Sequence, residues 1–88
     1  MWIRSADDRY INIDTLTMMA VENYDYEDER CKICAIGHEG DSYLLLPPTS
    51  SRREAQAILD KLMNKIHDGE KVVDILEVWA EVYHEDED

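Results

Sequence analysis

Apolar and polar positions along this chain follow two periods, a short alternation up to Leu46 and a helical spacing from Ser51 onward. Between Trp2 and Leu46 the apolar residues come in brief runs divided by turn-formers, a pattern that predicts antiparallel strands joined by hairpins. Five strands are expected: Trp2–Arg4, Arg9–Ile13, Leu16–Asn23, Cys31–Ile36 and Ser42–Leu46. The Asp residues of Ser5-Ala6-Asp7-Asp8 suit the first turn, because they bond their own backbone. Gly37-His38-Glu39-Gly40-Asp41 suits the last hairpin, where two glycines can take positive φ. Pro47-Pro48 is expected to stop the fifth strand.

Ser51 followed by Glu54 is a capping-box signature for a helix starting there. Ala55, Ile58, Leu59, Leu62, Met63 and Ile66 then form one apolar stripe at helical period, expected to cover the sheet. Gly69 ends this helix, with His67 in its last turn, where the dipole favours a cation. Val72-Val73 reads as a short extended step, and Asp74 with Glu77 repeats the capping pattern for a second helix over about Ile75–His84. Its expected core positions are Ile75, Leu76, Trp79, Val82 and Tyr83. Trp2 and the Met18-Met19 pair are also expected in the core, whereas Trp79 fits either the core or an anchor for a partner. The fold class is therefore α+β: a curled antiparallel sheet of four or five strands, an amphipathic helix, and a shorter acidic C-terminal helix. One domain over residues 1–84 and an acidic tail at 85–88 are expected.

Charge changes this picture more than length does. The 88 residues carry a formal net charge of −12, which bears on solubility and partner sign rather than on fold. Residues 22–29 hold Glu22, Asp25, Glu27, Asp28 and Glu29 with no base, and residues 66–88 hold nine acids against Lys71 alone. The rest of the chain is close to neutral. A nucleic-acid ligand is disfavoured, because phosphate binding needs a basic stripe. No apolar run approaches the ~20 residues that cross a bilayer. The first residues lack the layout of a secretory signal, and two cysteines are too few for a disulfide framework, so a cytoplasmic setting is expected, that of the host if the gene is phage-borne.

Asp74, Glu77, Glu81, Glu85 and Asp88 share one face if the second helix continues to the end. They point to a row of carboxylates offered to a basic groove, in the manner of nucleic-acid mimics, or to a solvated face that keeps a small domain soluble. Glu22-Asn23-Tyr24-Asp25-Tyr26-Glu27-Asp28-Glu29, read as a loop over Tyr24–Arg30, interleaves tyrosines with acids as binding surfaces do, or is a plain solvated loop. A calcium loop would use such acids, but the Asp-x-Asp-x-Asp-Gly spacing is missing. Cys31-Lys32-Ile33-Cys34 with His38 is the one candidate for metal or redox chemistry. On a strand the two cysteines point to opposite faces, and a fourth zinc ligand would have to come from His67 or His84. Packing cysteines are the plainer reading. Phosphate-cradling, nucleophile-elbow and zincin motifs are absent from the sequence, so no catalytic residue and no cofactor is expected.

Trp2-Ile3-Arg4-Ser5, Asp7, Ile11-Asn12, and later Glu54-Ala55, Ile58-Leu59 and Leu62 resemble small, mostly uncharacterised proteins of bacteria and their phages that begin with the same Trp-Ile-Arg-Ser stretch. The resemblance covers the N-terminal hairpin and first helix. It implies a sheet-plus-helix unit and a phage or mobile-element setting, and no activity. Three function classes follow. The first is a non-catalytic inhibitor or adaptor that binds a basic protein, such as a nucleic-acid-binding enzyme, as some anti-restriction and anti-CRISPR proteins do. The second is a self-associating structural domain, such as a homodimer joined around Trp79. The third is a cysteine-dependent metal or redox protein.

Overall fold

The computed structural model describes residues 1–25, 28–49 and 51–85, without the side chains of residues 25, 28, 29, 84 and 85. Six strands and two helices follow one another as β1 (Trp2–Arg4), β2 (Tyr10–Asn12), β3 (Leu16–Asp25), β4 (Asp28–Gly37), β5 (Ser42–Thr49), α1 (Arg52–His67), β6 (Val72–Asp74) and α2 (Ile75–Glu85), with a 3-10 turn at Ile13–Thr15. They form an α+β unit with two three-stranded sheets, ordered β2-β1-β6 and β3-β4-β5, rather than the single curled sheet of four or five strands expected.

The reason lies in β6. Residues 72–74 pair parallel with β1, placing Trp2, Ile3 and Arg4 opposite Val72, Val73 and Asp74. Trp2 N–H donates to the Lys71 carbonyl at 2.9 Å and leads into that pairing. The short C-terminal step thus completes a sheet begun at the other end of the chain. The two sheets meet where Ala6 N–H donates to the Leu45 carbonyl, 2.9 Å away.

Two further expectations are corrected. The acidic stretch after Asn23 is not a loop over Tyr24–Arg30: β3 runs on to Asp25, β4 starts at Asp28, and these two residues face each other across the hairpin. Pro47 and Pro48 do not end the fifth strand, which continues to Thr49. Proline is tolerated there because β5 is an outer strand and its register with β4 is irregular around that point, so few ladder bonds are asked of it.

Helix α1 begins as its sequence dictates. Ser51 Oγ accepts from Glu54 N–H at 3.1 Å, and Gly69 follows the helix with φ of 83°, the left-handed conformation that glycine adopts without strain. Ala55, Ile58, Leu59 and Leu62 are buried. One core results: Ile3, Ile11 and Val73 from the first sheet, Ile33, Leu45 and Leu46 from the second, the α1 stripe, and Ile75, Val78 and Val82 from α2.

Candidate protein-docking surfaces

Helix α2 is apolar over a wide arc, and the core takes only part of it. Ile75, Val78 and Val82 are buried, while Leu76, Trp79 and Tyr83 are 40, 38 and 55 % exposed. The expected core face is therefore rotated: Val78 replaces Leu76, Trp79 and Tyr83. Trp79 is not a core residue, nor are Trp2 and Met18, which are 42 and 47 % exposed. Spaced at i, i+3 and i+7, Leu76, Trp79 and Tyr83 share one outward facet. The Trp79 indole Nε1 donates to Glu54 Oε1 at 2.9 Å, fixing the ring at the seam between the helices.

The acidic face of α2 is not a row of uncompensated charges. Asp74 caps the helix, its Oδ1 accepting from Leu76 N–H at 2.9 Å, and its Oδ2 lies 3.3 Å from Arg4 Nη1. Glu81 Oε2 lies 3.3 Å from Lys65 Nζ and 3.7 Å from Lys61 Nζ, so α1 supplies the cations that α2 lacks. Glu77 is exposed. Glu85 closes α2 with its side chain outside the described residues, as Asp88 is entirely. On the β3–β4 hairpin, Tyr24 is exposed and the Arg30 guanidinium lies 5.2 Å from its ring centroid, a cation–π contact. Asp25, Asp28 and Glu29 are placed by their backbone alone, and Tyr26 and Glu27 lie outside the described residues.

Cys31 and Cys34 do not converge. Cys31 belongs to the core beneath α1, with Sγ 3.6 Å from Asn23 Oδ1, whereas Cys34 is cross-strand from Ala20 and Leu44 on the opposite sheet face. Burial, with Glu22 nearby, pushes the Cys34 thiol up, away from the thiolate that redox or metal chemistry uses. His38 is held beside the β4–β5 turn, its Nε2 3.1 Å from the Asp14 carbonyl. Among the described residues no group of three His, Cys, Asp or Glu side chains is placed to hold a metal ion, and no helix is long and apolar enough to cross a membrane.

A further surface is one the sequence pattern did not single out. Strand β3 is the outer strand of its sheet and ten residues long, and among the described residues its backbone pairs only with β4. Register shifts occur at its ends, between Leu16 and Met18 and between Asn23 and Asp25, so Met18–Asn23 is a regular stretch with one side unpaired. Beside it runs a groove of about 290 Å³ lined by Ile13, Leu16, Thr17, Met18, Met19, Leu59 and Met63. Six of these seven are apolar, and Met63, expected in the core stripe of α1, is 45 % exposed. Three unbranched methionines give the groove walls that adjust to what they meet. The signal available in the sequence was the lack of any Lys or Pro in Leu16–Asp25, residues that usually guard an outer strand.

Comparison with protein-family models, curated proteins and solved structures finds no match to this chain.

Proposed function

We propose that this protein is a non-catalytic protein-binding domain that takes up an extended strand along the open edge of β3. The observation that carries the reading is the conjunction of an unpaired, regular strand edge with an apolar groove between that strand and α1. Strand addition uses these two parts: main-chain hydrogen bonds supply affinity, and pockets for alternate side chains supply selectivity. An incoming strand would pair with Met18–Asn23 and send every second side chain toward Met19, Leu59 and Met63.

The chain's negative charge acts here on encounter rate and solubility. Nucleic-acid mimicry by α2 would need ordered carboxylates left for a basic partner, yet Asp74 and Glu81 have cationic neighbours within the fold. That weighs toward the β3 edge.

A displayed library of random peptides selected on the intact chain tests the proposal. Enriched peptides should alternate apolar and polar residues, and on binding they should slow amide exchange along Met18–Asn23. Met18→Asp and Met63→Asp change exposed groove residues and should abolish binding while the unfolding transition survives. Peptides that instead shift resonances of Leu76, Trp79 and Tyr83, or that bind both variants unchanged, would overturn the reading.

A further inference from the structure

We infer that the strand taken up by β3 is β3 of a second copy of this chain, the two running antiparallel about a two-fold axis at Ala20, so that Met19 of each copy stands opposite Val21 of the other, to give one continuous six-stranded sheet. The inference rests on the open edge described above and names its occupant.

The four outer strands differ in how they are protected. In the first sheet β2 and β6 have three residues each, too short to template a neighbour. In the second, β5 carries Pro47 and Pro48, and its Leu45 carbonyl is already used by Ala6. Only β3 among these is both long and unguarded. An edge that is regular from Met18 to Asn23 can be satisfied by its own image, because an isologous contact uses the same patch twice.

Side-chain alternation makes the image fit. Met19, Val21 and Asn23 are cross-strand from Ala35, Ile33 and Cys31 on the face that α1 covers. A two-fold axis perpendicular to the sheet keeps the same face toward the helices, so each copy's Met19 and Val21 come beside the partner's methionine-lined groove. Each chain contributes the edge, the groove and the residues that fill it.

Charge selects the antiparallel arrangement. Acid on β3 is confined to Glu22, which is cross-strand from Lys32, and to Asp25 at the hairpin end. Ten residues at about 3.3 Å each place the two hairpin ends ~33 Å apart in an antiparallel pair, well beyond the screening length of about 8–10 Å in physiological salt. A parallel pair would bring them side by side. The overall charge of −12 still opposes association of two copies, so this dimer should tighten as salt rises. A basic foreign partner would show the opposite dependence.

Sedimentation equilibrium of the intact chain over a concentration series, at low and high salt, reads this directly. The expected result is a monomer–dimer equilibrium strengthened by salt, with exchange of the Met18–Asn23 amides slowing as concentration rises. Ala20→Lys puts like charges near the axis on a strand edge and should weaken the dimer by at least about tenfold. Should that variant not fold, the wild-type exchange data decide alone. A chain that stays monomeric at every concentration, or a dimer abolished by Trp79→Ala with β3 amides unprotected, overturns the inference. A monomer that still binds selected peptides along β3 overturns only the identity of the occupant, and a monomer that binds none there removes both.

Discussion

Asp74 and Ser51 stand at the heads of the two helices and do the same work there, but only Asp74 also faces a cation. Each accepts a backbone N–H that the helix leaves unpaired, and Asp74 adds Arg4 at 3.3 Å across the β1–β6 pairing. Ser51→Ala should cost about 1 kcal/mol, read as a lower urea midpoint at unchanged slope. Asp74→Ala should cost about 1–2 kcal/mol, and Asp74→Asn should recover most of it, because the amide keeps the cap and loses only a half-exposed ion pair. In the β1–β2 turn next to Arg4 the Ser5 hydroxyl donates to Asp7, and that hydrogen bond, with a smaller contribution from Arg9, holds the Asp7 carboxyl below its ordinary value. A carboxylate depressed in the folded state favours folding above its unfolded-state value and ceases to do so as pH falls through the folded one. An NMR titration should therefore find Asp7 below the usual value of about 3.9, moving back up in Ser5→Ala. Both helix caps were legible in the sequence because a cap is local. The Arg4–Asp74 pair was not, because only the fold brings residue 4 to residue 74.

Among the elements, α1 and α2 show what a helical pattern can and cannot tell. The α1 stripe is a narrow band, and four of its six expected residues are buried, with Ile66 partly so and Met63 turned toward the β3 groove. In α2 the apolar positions span nearly half the circumference, so periodicity identifies the helix without saying which sector meets the core. Val78 was the residue missed: it is fully buried, while its neighbour Leu76 is 40 % exposed. Val78→Ala should cost about 1.5–3 kcal/mol and Leu76→Ala less than about 1 kcal/mol, the reverse of the order that the sequence pattern implies, with Leu76 in the core and Val78 outside it. Thermal unfolding of the two variants decides it. Strand β4 was legible because it is central and alternates on both faces, and β3 was located while its role was not. An outer strand usually declares itself by a guarding Lys or Pro, and β3 carries neither, so along its length it reads like an inner strand.

At the scale of the whole molecule, the parallel pairing of β1 with β6 decides how the chain divides. Hairpins close locally and show in sequence, whereas a parallel partner arrives only after an intervening crossover, here β2, the whole β3-β4-β5 sheet and α1. The sequence pattern expects one domain over residues 1–84 with the second helix packed on its core and only 85–88 as an acidic tail, without saying how much of the stability rests on that packing. The fold gives those residues their weight. Val73, Ile75, Val78 and Val82 are all buried, and Val73 lies opposite Ile3 in the first sheet. At about 1.5–3 kcal/mol for each side chain, their burial contributes on the order of 6–12 kcal/mol, comparable with the ~5–15 kcal/mol that holds an ordinary domain folded. Truncation after Gly69 should therefore do more than shorten the protein. It leaves Ile3 and Ile11 facing solvent on a two-stranded ribbon, removes the cap that engages Arg4, and strips α1 of its neighbour. The expected product keeps some far-ultraviolet helical signal, binds a hydrophobic dye and shows no cooperative thermal transition. A truncated chain that still unfolds sharply would mean that β3, β4, β5 and α1 form a self-sufficient unit, and that β6 with α2 merely rests against it.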